Sequence, residues 1–364
     1  MKDLSADHNL IEGRVYNAPL HDTSMKVPGG GLLSTASDLV RLATAANTGK
    51  LLGDELRQQM WTVQKTTSGK ETGYGLGWQL ATRSGRNMIS HGGAQAGTST
   101  MFVLVPDTGT SVAIMCNMQG LQFRNLAAQI ASLVQPPAPP TNYDDAVAKL
   151  RAAIQHEVEQ KRLPAISISL VDDQCVVWAE GFGHQDAARQ TPATAETVYR
   201  VGSVSKLFTD IAVLQLVEQG RLDLDADVRQ YLPQFQPQSP DGIPLTLRQM
   251  MSHRSGLVRE SPVGNYFDPD EPTLDATVAS LNDTSLVYKP ETKTKYSNAA
   301  IAVVGAVLER ELDGSHPDQV RRTILDPLKM DRSSFVVTDE VRPQLATGWM
   351  RTYDGRRFEA PTFL

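Results

Sequence analysis

The chain has 364 residues and carries 35 Lys+Arg against 41 Asp+Glu, a formal net charge of −6. Apolar residues make up 40% and charged residues 21%, an ordinary globular composition that excludes a disordered or fibrous chain. The acidic balance argues against nucleic acid and against a polybasic membrane-surface protein as partners.

Cys116 and Cys175 are too few for a disulfide framework and lack zinc-type spacing. The apolar stretch Ala299 to Leu308 is half of what a membrane span needs, so no span is expected. The polar start Met1-Lys2-Asp3-Leu4-Ser5 has no signal-peptide core, which leaves localisation open.

In chain order, Gly29-Gly30-Gly31 leads into an apolar helical pattern from Leu39 to Ala46, with Ser37 or Asp38 placed to cap it. Gly73 to Trp78 reads as the opening of a strand. Thr98 to Val105 and Thr110 to Cys116 read as a hairpin around Pro106-Asp107-Thr108-Gly109. Leu121 to Val134 reads as a closing helix. Pro136-Pro137-Ala138-Pro139-Pro140 cannot continue a helix and favours an extended spacer. Beyond it come a helix over Tyr143 to Gln160, strands at Ile166 to Val171 and Cys175 to Ala179, and a helix from about Ser203 to Gln219. Helical pattern and Pro/Gly-rich loops fill the rest. Strands thus cluster in the middle of the chain, which predicts one sheet with flanking helices and a separate helical region.

Three short motifs bear on chemistry. In Ser203-Val204-Ser205-Lys206, a helix opening at Ser203 places Lys206 one turn along on the same face. A lysine amine there can take the proton of a serine that is otherwise a poor nucleophile. The apolar residues of the next turns, Leu207, Ile211 and Leu214, would bury the lysine stem. A Ser-x-x-Lys match also arises about once by chance in a chain this long. In Tyr296-Ser297-Asn298, the tyrosine can shuttle a proton and the asparagine can hold an amide. Equally, Ser297 or Asn298 can cap the next helix while Tyr296 packs. His91-Gly92-Gly93 either lets a substrate or another backbone approach closely or is a plain turn with a surface histidine.

Together, Ser-x-x-Lys, Tyr-x-Asn and His-x-Gly resemble the serine β-lactamase and penicillin-recognising enzyme family. That family includes class C β-lactamases, D,D-peptidases, D-aminopeptidases and related esterases and LACTB-like proteases. The segments Thr246 to Leu257 (TLRQMMSHRSGL) and Gly30 to Leu39 (GGLLSTASDL) are similar to further family segments. The resemblance implies a β-lactamase/transpeptidase-like α/β (α+β) fold: a five-stranded antiparallel sheet flanked by helices, plus an all-helical domain. Residues 64–200, including the proline linker at 135–141, would form the sheet domain. Residues 1–63 together with 201–364 would form the helical domain and site loops.

The resemblance also assigns roles. Ser203 is the nucleophile, Lys206 its proton acceptor and Tyr296 the proton relay. Asn298 orients substrate and Lys206. The amides of Ser203 and Ala94 form the oxyanion hole, beside His91, Gly92 and Gly93. No metal or cofactor is implied.

His91 stands where β-lactamases carry the lysine of Lys-Thr-Gly, and histidine is largely neutral at pH 7. That favours small carboxylic esters as substrates, with weak β-lactam or D-amino-acid amide or peptide turnover alongside. The alternative is a penicillin-binding sensor that acylates with little turnover.

In the family the serine motif comes first, yet His91 precedes Ser203 here. The order reads as a circular permutation bridged by the proline spacer. Pro327-Leu328-Lys329-Met330 resembles the end of the family's N-terminal part, and Met1 to Pro28 resembles the stretch just after that end. That partial duplication also suits a piece of a tandem, or a homo-oligomer with swapped segments.

Overall fold

The computed structural model describes residues 8–11, 14–17, 27–83, 85–133, 143–240, 242–265, 272–352 and 356–360. The proline spacer and most of the N-terminal stretch resembling the family's continuation lie outside the described residues.

Six antiparallel strands form the main sheet in sequence order: β1 (Gln79–Arg83), β2 (Arg86–Gln95), β3 (Thr98–Val105), β4 (Thr110–Cys116), β5 (Ala165–Asp172) and β6 (Cys175–Gly183). The expected sheet had five. The added strand is β2, whose centre is the His91-Gly92-Gly93 segment, expected to be a turn or a close-approach site. Its glycines weaken the strand pattern, because they supply no side chain to alternate. Strands from both sides of the spacer pair directly: Ser111 of β4 lies opposite Val171 of β5, and Cys116 opposite Ile166.

The strands β3, β4 and β5 are buried along almost their whole length, so helices must cover both faces. Met101, Val103, Ile114, Ile166 and Ile168 point to one face. There they meet α2 (Arg124–Leu133) and α3 (Asp144–Lys161) through Ala127, Ile130, Leu150 and Ile154. Phe102, Leu104, Ala113, Met115 and Val171 point to the other face. There they join one apolar cluster with α1 (Ala36–Asn47), α4 (Ser205–Glu218), α5 (Leu247–Met251) and α6 (Asn298–Leu312). The alternation along each strand is the two-residue period of the pleat.

Local caps reflect polar chemistry. Thr35, rather than Ser37 or Asp38, caps α1 by accepting the Asp38 amide. Ser297 caps α6 by accepting from Ala300. At α5, Thr246 and Gln249 form a reciprocal capping box.

Helix α4 is apolar nearly all round and accordingly buried on almost every side. A chain segment preceding α1 lies along it. Thr209 Oγ donates to Pro28 O at 2.5 Å, the Leu32 amide donates to Ser205 Oγ at 3.0 Å, and the Val201 amide donates to Leu32 O at 2.9 Å. This packing sets residues 27–32 against the start of α4. The backbone of β2 meets the same place from the sheet.

Candidate active site

Ser203 sits in a single 3₁₀ turn, Gly202–Val204, that feeds directly into α4. The turn and helix together put Ser203 and Lys206 on one face. Lys206 Nζ lies 3.1 Å from Ser203 Oγ and donates to Gly29 O at 2.6 Å. Lys206 is 0% exposed, whereas Ser203 is only partly covered. The amine is therefore enclosed, and the hydroxyl it touches remains reachable.

The backbone of β2 closes on this turn. A Cβ at Gly93 would collide with Val201 O and stand 3.3 Å from the Ser203 amide nitrogen. Gly202 has φ +53°, and a Cβ there would come 2.8 Å from the Ala94 amide nitrogen. Both glycines are needed for contact: one for the space between two backbones, the other for its left-handed conformation. Ala94 is exposed beside them.

Tyr296 immediately precedes the Ser297 cap of α6, and Lys206 Nζ lies 4.9 Å from its ring centroid. The Tyr296 ring also packs against His253 with centroids 4.1 Å apart, and His91 lies at 6.4 Å. Exposed Arg259 also approaches the ring, 5.6 Å from its centroid. Asn298 is buried, and its amide nitrogen donates to Glu260 Oε1 at 2.7 Å.

His91 is buried in the sheet with both ring nitrogens engaged. Nδ1 is 2.8 Å from Gly92 O, and Nε2 is 2.8 Å from the Tyr74 hydroxyl. Burial, and then the charge of Lys206, push its pKa down to about 3. The same two causes hold His253 well below its ordinary value. His253 Nδ1 accepts the Ser297 amide at 3.3 Å. Both imidazoles are thus neutral.

One turn beyond Lys206, the Asp210 carboxyl is buried with neither oxygen hydrogen-bonded. Burial drives its pKa well above the carboxylate range, with Lys206 opposing.

The structure therefore brings Ser203, Lys206, Tyr296, His91, Gly92, Gly93 and Ala94 to one place, from α4, α6 and β2. Asn298 is buried with its amide turned to Glu260. Gly29, Tyr74, His253, Asp210 and Glu260 are additions that the motifs did not point to. Only His253 carried a signal, as part of the Thr246 to Leu257 segment.

The Beta-lactamase family matches this chain over residues 5–135 and 150–363, two segments on either side of the proline spacer. The chain belongs to the beta-lactamase family. Among curated relatives, it is 25% identical over 207 residues to Protein flp of Staphylococcus aureus (strain N315), covering 57% of this chain and 42% of that protein. It is 30% identical over 207 residues to Beta-lactamase-like protein 2 of Dictyostelium discoideum, covering 54% and 37%. The chain spans less than half the length of these two relatives. Among solved structures, EstCE1, a hydrolase with promiscuous acyltransferase activity, is similar with TM-score 0.53 and 27% identity over 60% of each chain. The octameric penicillin-binding protein homologue from Pyrococcus abyssi has TM-score 0.51 and 30% identity, over 59% of this chain and 50% of that one. The fold is accordingly β-lactamase/transpeptidase-like, an antiparallel sheet between helical layers.

Proposed function

We propose that this chain is a serine hydrolase that cleaves small carboxylic esters through an acyl-enzyme. Weaker turnover of β-lactams or D-amino-acid amides accompanies that activity. The observation that carries this reading is the 3.1 Å contact between the buried Lys206 amine and the accessible Ser203 hydroxyl.

With Lys206 acting as the neutral amine, Ser203 Oγ attacks the ester carbonyl as its proton passes to Nζ, whose second partner, Gly29 O, fixes the direction of the amine. The tetrahedral oxyanion is held by the amides of Ser203 and Ala94. The tight fit of Gly93 and Gly202 supports that placement. Tyr296, in contact with Lys206 and His253, relays a proton to the departing alkoxide. Water then attacks the acyl-enzyme by the reverse route and frees the acid. Asn298, its amide nitrogen paired with Glu260, orients the substrate and Lys206.

The preference for esters rests on His91. A neutral ring already bonded at both nitrogens offers no cation to a substrate carboxylate. Similarity to EstCE1 supports the same class of hydrolysis. The site lies where the sheet part of residues 64–200 meets the helical remainder. The two-segment family match supports reading the chain as circularly permuted.

The test is turnover of a chromogenic short-chain ester against a chromogenic cephalosporin, with the wild-type chain and Ser203→Ala. Ester turnover that depends on Ser203 and exceeds cephalosporin turnover is expected. Ester turnover unchanged in Ser203→Ala would overturn the mechanism. Covalent labelling by a fluorescent penicillin without turnover of either substrate would establish a sensor instead.

A further inference from the structure

The apolar layer beneath α3 opens, at the C-terminal end of that helix, into a cavity of about 780 Å³. Val158 and Leu163 floor it, Pro164 and Gly183 bound it at the ends of β5 and β6, and the short hairpin Trp349–Arg351 with Arg357–Glu359 forms its wall. No lining residue belongs to the cluster around Ser203.

Its charged lining is one-sided. Arg162, Arg189, Arg351, Arg356 and Arg357 face it with a single carboxylate, Glu159. Two of these have a local reason to be there. Arg351 donates to Lys161 O at 2.8 Å, and Arg357 donates to Arg162 O. These are the last carbonyls of α3, where cations are favoured. Carbonyls, however, orient a guanidinium without neutralising it. Among the described residues, none of Arg162, Arg189, Arg351 and Arg357 stands in an ion pair. Arg357 registers the crowding: burial first, then Arg351, Arg189 and Arg162, lower its pKa. Helix capping therefore places two side chains, and the charges of Arg162, Arg189, Arg351 and Arg357 stand together without an ion-pair partner among the described residues, in a chain of net charge −6.

We propose that this cavity binds a small oligophosphate-type polyanion, carrying two or more phosphoryl groups. Guanidinium forks match phosphoryl oxygens bidentately, and several of them can share one compact group. A single monoanion would leave most of the charge unopposed. The volume falls within the range of about 300–1,000 Å³ usual for small-molecule sites. Arg351 and Arg357, already tied to backbone, are preorganised donors that lose little freedom on binding.

The test is calorimetric titration of the full chain with sodium tripolyphosphate at about 0.1 M salt, where exposed charges are screened beyond about 10 Å. Saturable one-to-one binding is expected, tighter than that of pyrophosphate and much tighter than that of orthophosphate. Arg189→Ala and Arg357→Gln should each weaken it by about tenfold, the scale of one charge-assisted contact. Ser203→Ala should bind as the wild type does, because the two sites are separate. Absence of saturable tripolyphosphate binding would overturn the proposal, as would undiminished binding in both arginine variants. Citrate binding as tightly as tripolyphosphate would overturn the phosphoryl assignment. A second readout needs no variant. Tripolyphosphate should protect Arg162, Arg189 and Arg357 of the wild-type chain from phenylglyoxal, read by mass spectrometry. Full binding without that protection would place the site elsewhere.

Discussion

The Tyr74 hydroxyl lies 2.8 Å from His91 Nε2, and this contact sets the protonation of the ring. Gly92 O, beside Nδ1, can only accept, so Nδ1 carries the proton. Nε2 is then an acceptor, and the one Tyr74 hydroxyl proton is shared between it and Gly77 O, 3.0 Å away. Tyr74→Phe removes that donor and leaves a buried ring nitrogen unsatisfied, at a cost of about 1–3 kcal/mol. A lower urea midpoint is expected, and no change would refute the assignment. His91→Lys would bury an ammonium near Lys206. By offering a cation to a substrate carboxylate it should raise cephalosporin turnover relative to that of neutral esters, and an equal loss on both classes would mean that His91 does not set the preference.

Lys206 and Tyr296 touch each other as well as the reaction, so their effects should not add. We expect Lys206→Ala and Tyr296→Phe each to cut ester kcat by about 10³-fold, with the double variant little worse than either. Losses that multiply would show two independent roles. Ser203→Ala should also abolish labelling by a fluorophosphonate.

Asp210 is buried one turn from Lys206 with no hydrogen bond to either oxygen. Its raised pKa means that the folded chain keeps it as a neutral acid. Asparagine has nearly the same shape and no charge, so Asp210→Asn should change stability by no more than about 1 kcal/mol. If the carboxylate were ionised and supporting Lys206, removing it would destabilise by about 3–5 kcal/mol. Chemical denaturation of the variant decides between these.

His91, His253 and His316 are all buried and pushed toward the neutral form, His91 and His316 to about 3. In the unfolded chain they take up protons near pH 6.5. Below that value the unfolded state binds protons that the folded state does not, so stability falls with pH. Each imidazole contributes a slope of about 1.4 kcal/mol per pH unit from about 6.5 downward. Asp210 acts oppositely, as do Asp38 and Glu309 to a smaller extent, because their folded forms hold the extra protons, but between about pH 5 and pH 7.5 the three imidazoles outweigh them. The urea midpoint should therefore be lower at about pH 5 than at about pH 7.5. An equal or higher midpoint would mean that the rings are charged in the fold.

Because β4 pairs with β5 across the spacer, a break in the spacer should be tolerated. Halves ending at Pro137 and starting at Ala138, co-expressed, should co-purify and hydrolyse esters, while neither alone does. Each half would otherwise expose an unpaired strand edge. Halves that fail to associate would sink this expectation. Rescue of a Ser203→Ala chain by one carrying Gly93→Val would reveal a segment-swapped dimer.

The sequence by itself determined what depends on local spacing. Ser203 and Lys206 are three residues apart, so any helical turn there brings them together. The hairpin of β3 and β4 around Pro106 to Gly109 and the burial of α4 likewise arise from composition and polarity within one segment. Tertiary structure decided whatever depends on which segments meet. Gly29 supplies the second partner of Lys206 only because residues 27–32 lie along α4. Tyr74 reaches His91, and His253 reaches Tyr296, across loops whose courses no local pattern fixes. The strand β2 was hidden for the same reason. Its glycines look like a turn until the backbone of Val201 to Ser203 fills the space that they leave. The arginines around Arg357 are scattered from 162 to 357 in the chain, and only the docking of the last hairpin on the end of α3 gathers their charge into one cavity.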